Sequence, residues 1–275
     1  MDPKTNIVKI FNLVAEGYDN PSLGFFPSAG NQMTELLQLV PGETVLDIAT
    51  GTGAFAAGAG QRVHPGGRVH AIDLTESMLD RARTKVANLA LDNVDFQAMD
   101  AEQLEFESDY FDAIGCSFGL FFLSDMSAAL EKWLQLLKPG GRLMFTSFAP
   151  TALQPMTDML FEDLRAVGLD LQDKDTGGSA GRLPSQEFCC NLLNDAGYIG
   201  IRSEARQLGF HLDNTEDWWQ VVWNAGLRGY LERLTPQQLV DLRSRHLPRI
   251  QKLKRDEGIW MDVKTWFSGG IKPVH

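Results

Sequence analysis

Cysteine is scarce in this chain of 275 residues, which contains only Cys116, Cys189 and Cys190. Two of the three are adjacent, and no CxxC or mixed Cys/His spacing occurs, so we expect neither a disulfide framework nor a metal site. Free thiols are typical of a reducing compartment. The cysteine pattern therefore predicts a cytoplasmic protein without a structural metal.

Long apolar runs and excess positive charge are also lacking. No stretch approaches the roughly 20 apolar residues that span a bilayer, and residues 1–11 do not have the pattern of a signal peptide. The net charge of −11 disfavours a nucleic-acid binder, because such a protein must attract phosphates. Hydrophobic residues make up 44% of the chain, enough to bury a sizeable core. We expect a small-molecule partner, no nucleic acid and no membrane span, and we leave open a homodimer.

Strand-like and helix-like segments alternate in the first half of the chain. This order predicts an α/β fold of the Rossmann-like, doubly wound type, with a mostly parallel sheet. We expect strands at residues 44–49, 68–73, 94–99, 111–118 and 141–148, and helices at 76–89 and 127–137.

Helical segments flank this core. We expect helices near residues 6–16 and 33–40 around a turn-rich piece, and mainly helices after residue 150, with a polar, Gly-rich hinge or lid at 171–185. Residues 199–212 look strand-like, and 259–273 predict one more strand at the sheet edge. The expected division is an N-terminal helical lid (1–40), a cofactor-binding core (41–150) and an acceptor-side C-terminal helical cap whose edge strands complete the sheet (151–275).

A glycine-rich turn follows the first predicted strand. Residues 51–56, GTGAFA, fit the dinucleotide pattern G-x-G-x-x-G/A, although any tight strand-to-helix turn favours glycine. Asp73 lies about 20 positions later at the end of the second strand, where a carboxylate accepts hydrogen bonds from ribose hydroxyls. Together these features predict a cofactor that contains a nucleoside.

Asp47 distinguishes between such cofactors. A dinucleotide presents a pyrophosphate to the turn, and a carboxylate nearby would repel it. S-adenosylmethionine instead carries a sulfonium and an amino group and no phosphate, so Asp47 favours it. A purely structural carboxylate at the strand end is the alternative reading of Asp47.

Two later strand ends carry polar groups that fit the same cofactor. The Asp100 carboxylate, in Asp100-Ala101, is placed to accept a hydrogen bond from an adenine amino group. Alternatively, Asp100 caps a helix ahead of Glu102. Ser117 ends the fourth strand, and ligands of open α/β sheets bind at the carboxyl ends of strands. We therefore expect these residues to line one crevice.

Five segments in this order, VLDIATGTG, AIDLTESML, MDAEQLEF, CSFGL and LKPGGRL, resemble the class I S-adenosylmethionine-dependent methyltransferases. Between about Glu43 and Phe148 the chain is most similar to the ubiquinone/menaquinone biosynthesis C-methyltransferase family. The resemblance implies that the cofactor is S-adenosylmethionine. It also implies that Thr52 contacts it, that Tyr18 closes over it and that the turn shapes its pocket. The full cofactor-binding set is Tyr18, Asp47, Ala49, Gly51, Thr52, Gly53, Asp73, Leu74, Met78, Asp100, Ala101 and Ser117.

The sequence departs from that family on the acceptor side. Phe121 and Phe122 stand where the quinone enzymes carry polar residues, and Ala49 replaces a glycine, a conservative change if the backbone there has a negative φ. The aromatic residues Phe25, Phe26, Phe118, Phe121 and Phe122 are expected to converge at the crevice mouth, and Trp218, Trp219 and Trp223 to cover it.

These features predict an S-adenosylmethionine-dependent methyltransferase acting on carbon, oxygen or nitrogen of a small apolar or aromatic molecule. Catalytic residues stay unassigned, because His211, His246, Tyr18 and Tyr198 show no catalytic spacing. The alternatives are an NAD-dependent oxidoreductase and a non-catalytic S-adenosylmethionine-binding protein.

Overall fold

Apolar strands form the centre of the protein, for which a computed structural model describes residues 3–171 and 179–274. Seven of them build one sheet, and two short ones pair separately. The strands are β1 (Thr44–Ile48), β2 (Arg68–Asp73), β3 (Val94–Ala98), β4 (Phe111–Ser117), β5 (Leu137–Phe148), β6 (Ile199–Gln207), β7 (Phe210–Leu212), β8 (Ile259–Met261) and β9 (Lys264–Ile271).

The order of the large sheet is β3-β2-β1-β4-β5-β9-β6. The first five strands are parallel, with Asp47 of β1 opposite Ala71 of β2 and Gly115 of β4. From β1 to β3 the strands are added toward one edge of the sheet, and the chain then returns to place β4 on the other side of β1. In open α/β sheets a crevice lies at such a switch point, beyond the carboxyl ends of the strands. The predicted doubly wound, mostly parallel sheet is confirmed.

Helices cover both faces of this sheet. Those in the described residues are α1 (Pro3–Val14), α2 (Phe25–Leu36), α3 (Ala54–Val63), α4 (Glu76–Asn88), α5 (Met126–Leu136), α6 (Met156–Ala166), α7 (Gln186–Asp195), α8 (Thr215–Asn224), α9 (Arg228–Leu231) and α10 (Pro236–Gln251). Helix α7 has a side-chain N-cap, since the Ser185 hydroxyl accepts from the Phe188 amide. Of the polar segment 171–185, residues 172–178 lie outside the described part of the chain, so the predicted hinge there stays a prediction.

Helix α2 differs from its prediction. It begins at Phe25, inside the piece expected to be turn-rich, and ends at Leu36 instead of reaching Val40. Gly30 lies within α2 at a close approach of this helix to α3. A Cβ at Gly30 would lie 2.8 Å from the Phe55 amide nitrogen, so its absence lets α2 pack directly on the start of α3.

The last strand, β9, is also placed differently. It lies one strand in from the edge, antiparallel to both β5 and β6, and β6 occupies the edge itself. The prediction of 259–273 as an edge strand is therefore wrong for β9. Residues 259–261 form β8, which pairs with β7 outside the main sheet.

The N-terminal segment attaches to α4 mainly through polar contacts. Three α4 residues spaced four apart lie on one helix face and form what we call the α4 ladder. A small separate apolar cluster of Val14, Ala15 and Met78 supports it. The ladder contacts are Ser77 Oγ to Asn12 Oδ1 (2.7 Å), Arg81 to the Glu16 carbonyl (3.3 Å) and Lys85 Nζ to Asp19 Oδ1 (2.8 Å).

A buried polar triad joins three helices of the C-terminal region. His246 Nδ1 lies 2.9 Å from Asp163 Oδ2, and the Trp218 indole donates to His246 Nε2 at 2.8 Å. Asp163 Oδ1 also accepts from Arg245 (2.8 Å) and Arg249 (2.6 Å). Burial lowers the pKa of His246, so the imidazole is neutral and its Nδ1–H donates to Asp163. The triad ties α6, α8 and α10 together.

No helix in residues 3–171 and 179–274 is both long enough and apolar enough to cross a membrane.

Candidate cofactor and acceptor site

Two adjoining cavities lie beyond the carboxyl ends of β1, β2 and β4. The turn cavity, about 630 Å³ including its open mouth, lies between the Gly51-Thr52 turn and residues 18–27. The α1 cavity, about 780 Å³ on the same basis, lies beneath α1 and is lined by Asp73 and Asp100. Tyr18, Ala49, Gly51 and Ser117 line both cavities, so the two meet at these residues.

The structure brings the predicted site residues together. Gly53 is the exception, since it lines neither cavity: a Cβ there would lie 3.0 Å from the Ala82 Cβ, which makes Gly53 a packing residue between the turn and α4. The turn cavity receives Asp47 and Thr52, the α1 cavity receives Asp73, Leu74, Met78, Asp100 and Ala101, and the shared residues are Tyr18, Ala49, Gly51 and Ser117.

Amides of the glycine-rich turn are already engaged within the protein. The Gly51 amide donates to Asp73 Oδ2 at 2.9 Å, and the Gly53 amide donates to the Thr50 carbonyl at 2.9 Å. Asp73 Oδ1 accepts from the Thr75 amide, and burial raises the pKa of Asp73 while these amides oppose the rise. A pyrophosphate binds through free amides, so these two are not available to a dinucleotide.

Asp47 is a buried carboxylate with one oxygen unsatisfied. The Thr50 hydroxyl donates to Asp47 Oδ2 at 2.6 Å, whereas Oδ1 has no hydrogen-bond partner among the described residues. Burial raises the pKa of Asp47 to about 7, opposed by the Thr50 hydroxyl and the Ala56 amide and assisted by the charge of Asp73. An unsatisfied carboxylate oxygen in a cavity wall favours a cationic ligand. The residues present therefore fit the ammonium-bearing end of S-adenosylmethionine.

We expect cofactor binding to depend on the ionisation of Asp47. As the pH falls from 8 to 6, S-adenosylhomocysteine affinity should weaken, approaching about tenfold per pH unit below pH 7, because a protonated Asp47 no longer attracts the ligand ammonium. Calorimetric titration at pH 6, 7 and 8 measures this slope. In Asp47→Asn the affinity should be weaker and its pH slope flatter; a slope identical to that of the unsubstituted enzyme would contradict the assignment.

Asp100 lines the α1 cavity, and its alternative reading as a helix cap is wrong, because a turn and not a helix follows it. Its Oδ1 accepts from the Glu102 amide at 2.9 Å, and its Oδ2 accepts from Lys4 Nζ at 2.7 Å. Lys4 also pairs with Glu102, which in turn binds Ser124. Sequence reasoning missed Lys4, because its partners are almost a hundred positions away and no local pattern marks it.

Thr52 contacts the N-terminal segment as well as the turn cavity. Its hydroxyl donates to Asp19 Oδ1 at 2.8 Å, and Lys85 Nζ lies 2.8 Å from the same oxygen and 3.1 Å from Thr52 Oγ1. Asp19 lines the turn cavity. Asp19 is therefore a further lining residue that sequence reasoning did not assign, and Lys85 contacts it without lining either cavity.

Two residues at the cavity junction have left-handed backbone conformations. Ala49 has φ 55°, so the condition for a conservative glycine replacement is not met, and Phe118 has φ 53°. Such a conformation costs an L-residue about 1–2 kcal/mol. Ala49 packs tightly against Gly119, where a Cβ would lie 2.7 Å from the Ala49 Cβ. Strained residues of this kind are concentrated at functional sites.

Aromatic rings wall the cavities in a continuous series. Tyr18 stacks on Phe26 (centroids 4.8 Å apart), Phe26 meets Phe118 edge to face (5.4 Å), and Phe118 stacks on Phe148 (4.3 Å). Phe122 lines the α1 cavity and contacts Phe11 edge to face (5.4 Å). Of the five aromatic residues expected at the crevice, Phe26, Phe118 and Phe122 line a cavity, whereas Phe25 and Phe121 are buried and line neither.

The tryptophans are not at this site. Trp218 is buried in the triad with His246, and Trp219 faces Trp223, which packs beneath Arg228. None of the three lines either cavity. Their expected covering role is therefore wrong, because they pack within the C-terminal helices.

Of the four titratable candidates, only Tyr18 reaches a cavity. His246 is fully buried in the triad, and His211 lies 3.6 Å from Glu257 at the surface. The Tyr198 hydroxyl donates to the Leu130 carbonyl at 3.0 Å. Burial raises the pKa of Tyr18, so its phenol remains protonated at neutral pH.

Fold and site together define a class I S-adenosylmethionine-dependent methyltransferase. More specifically, the chain belongs to the ubiE/COQ5 methyltransferase family, whose model matches residues 2–211. It is 31% identical over 211 residues to the ubiquinone/menaquinone biosynthesis C-methyltransferase UbiE of Proteus mirabilis, covering 72% of this chain and 84% of that protein. It is 34% identical over 144 residues to aklanonic acid methyltransferase DauC of a Streptomyces species, covering 52% of this chain and 66% of that protein.

Solved structures agree on the fold. The YcgJ protein of Bacillus subtilis aligns with a TM-score of 0.60 at 20% identity, covering 90% of this chain and 98% of that one. A SAM-dependent methyltransferase from Aquifex aeolicus aligns with a TM-score of 0.50 at 25% identity, covering 75% of this chain and 92% of that one. The predictions of the family, the S-adenosylmethionine cofactor and small-molecule methylation are confirmed, and neither the oxidoreductase nor the non-catalytic alternative gains support.

Proposed function

We propose that this enzyme methylates a flat, apolar aromatic molecule that binds against the Tyr18–Phe26 ring pair. The observation that carries the proposal is that pair, half-buried and lining the turn cavity. Phe118 and Phe148 support the pair from behind and fix its plane. A rigid aromatic wall favours a planar ligand that stacks on it over a flexible aliphatic one.

The names of the relatives support the same class of acceptor. One group is named for C-methylation in ubiquinone and menaquinone biosynthesis, and quinones are planar rings. Another is named for methylation of aklanonic acid. The sequence resemblance places Phe121 and Phe122 where the quinone enzymes carry polar residues, and Phe122 lines the α1 cavity, so we propose an acceptor more apolar than a quinone.

The protein's contribution to the reaction is mainly positional. When bound, S-adenosylmethionine supplies an electrophilic methyl group on a cationic sulfur. The aromatic wall holds the acceptor, α1 and residues 18–27 exclude water, and Ser117 lies where the two cavities meet. Alignment of two reactants in this way accounts for much of the rate enhancement in such displacements. We assign the transfer to carbon, oxygen or nitrogen of the ring system.

A panel of acceptors tests this proposal. With radiolabelled S-adenosylmethionine, planar hydroxylated aromatic compounds should be methylated and aliphatic amines should not. Phe26→Leu should raise the acceptor KM about tenfold, since a stacked ring contributes about 0.5–1.5 kcal/mol beyond its buried area. S-adenosylhomocysteine affinity should stay unchanged.

Phe188→Leu provides the matched control, because Phe188 lies on α7, is 38% exposed and lines neither cavity. Its acceptor KM should equal that of the unsubstituted enzyme. Preferential methylation of aliphatic amines, or an unchanged KM in Phe26→Leu, would refute an aromatic acceptor at this wall.

We further propose the division into a lid (1–40), a core (41–150) and a cap (151–275). Lys4, Ile7 and Phe11 of α1 line the α1 cavity, which supports a covering role for the first part. A cytoplasmic location, the lack of a nucleic-acid partner and a homodimer remain predictions from the sequence.

A further inference from the structure

The turn cavity contains carboxylates but no cation of its own. Asp19 and Asp47 line it, and none of its described lining residues is a lysine, arginine or histidine. S-adenosylmethionine carries an amino acid end that is zwitterionic, with both an ammonium and a carboxylate. Asp47 Oδ1 suits the ammonium, but a carboxylate brought into this cavity meets repulsion unless a positive group is close by.

Two backbone amides of the turn, a common alternative for binding an anion, already have acceptors within the protein. The Gly51 amide donates to Asp73 and the Gly53 amide to the Thr50 carbonyl. Lys4 is a cation at the other cavity, where it is bound to Asp100 and Glu102. A side-chain cation beside the turn cavity would offset the repulsion of the carboxylate most directly.

We propose that Lys85 binds this carboxylate, together with the Thr52 hydroxyl. Lys85 lies in the last turn of α4, and its ammonium is 3.1 Å from Thr52 Oγ1, an atom of a residue that lines the turn cavity. Its side chain is 28% exposed, so its charge is only partly screened by solvent. The inference rests on the identification of S-adenosylmethionine as cofactor.

Asp47 and Lys85 then supply opposite charges to the amino acid end of the cofactor. Asp47 Oδ1 is buried without a partner, and the Lys85 ammonium contacts the Thr52 and Asp19 side chains. An anion for the ammonium and a cation for the carboxylate orient a zwitterion in one direction, so the pair fixes which way the amino acid end lies. Lys85 is thus a binding residue, and Asp19 holds its ammonium in place.

Two ligands that differ only in the amino acid end test the proposal. S-adenosylhomocysteine carries that end, and 5′-methylthioadenosine lacks it. In calorimetric titrations, Lys85→Met should weaken S-adenosylhomocysteine binding by about tenfold or more, because a charge-assisted hydrogen bond is lost. The affinity for 5′-methylthioadenosine should change less than about twofold.

Two further variants separate this role from a contribution to the α4 ladder. Asp19→Asn breaks the same ion pair but leaves the ammonium, so it should weaken S-adenosylhomocysteine binding less than Lys85→Met does. Arg81→Met removes a cation one turn earlier on the same face of α4 and should affect both ligands equally and weakly.

Three results would overturn the proposal. These are equal losses for both ligands in Lys85→Met, a loss in Asp19→Asn as large as that in Lys85→Met, or unchanged S-adenosylhomocysteine affinity in Lys85→Met. If the cofactor identification itself were wrong, the unsubstituted enzyme would bind neither ligand, which is a distinct outcome.

Discussion

Asp73→Ala is expected to weaken S-adenosylhomocysteine binding by about 10- to 150-fold, corresponding to about 1.5–3 kcal/mol for hydrogen bonds to a charged group. The carboxylate lines the α1 cavity and also accepts from the Gly51 and Thr75 amides. Its removal therefore takes away a ligand contact and loosens the turn at the same time. Isothermal titration calorimetry measures the first effect, and unfolding without ligand measures the second.

Two further variants serve as comparisons for Asp73→Ala. Asp73→Asn retains an oxygen for one of the two amides and should bind more weakly than the unsubstituted enzyme but more tightly than Asp73→Ala. Asp95→Ala removes a carboxylate from neighbouring β3 that pairs with Arg68 at the surface, and it should change affinity less than about twofold. Equal affinity of Asp73→Ala and the unsubstituted enzyme would show that Asp73 is not a cofactor-binding residue.

The largest loss of stability is expected from Asp163→Ala, at about 3–5 kcal/mol. Asp163 is fully buried and accepts hydrogen bonds from His246, Arg245 and Arg249. Without it, the His246 Nδ1–H is left buried without an acceptor and the two arginines lose a shared partner. Such a loss is a large part of the 5–15 kcal/mol that stabilises a typical domain. Denaturant unfolding of the variant measures it.

Glu162→Ala is the matched control, because Glu162 pairs with Arg249 from the neighbouring position but is 62% exposed. Its effect should be within about 1 kcal/mol. Asp163 lines neither cavity, so whatever fraction of Asp163→Ala folds should bind S-adenosylhomocysteine normally. A loss below about 1 kcal/mol in Asp163→Ala would contradict the structural role of the triad.

The parts that could be predicted from the sequence depend on short-range pattern. Buried strands end at Asp47 and Asp73, the glycines mark the turn between them, and parallel topology then brings their carboxyl ends together. That logic placed Asp100 and Ser117 at the same crevice, although they lie far along the chain. The chemistry of the cofactor followed from a single charge, that of Asp47, at the entrance to the turn.

What could not be predicted depends on contacts between distant segments. Lys4 of α1 contacts Asp100 beyond β3, and Lys85 of α4 contacts Asp19 beyond α1, and no periodicity in the sequence indicates either contact. The positive φ of Ala49 is imposed by the fold around it and not by local preference. Likewise, hydrophobicity shows that the tryptophans are buried but does not show which element covers them.

The position of β9 has a consequence for synthesis on the ribosome. β5 ends at residue 148, but its neighbour in the sheet, β9, begins only at residue 264, more than a hundred residues later. At about 5–20 residues per second, the partner strand is made on the order of ten seconds after β5. Throughout that interval the apolar edge at Leu143 and Phe145 has no strand beside it, and such edges favour aggregation. We therefore expect the nascent chain to be open to non-native strand pairing at this edge until β9 has been made.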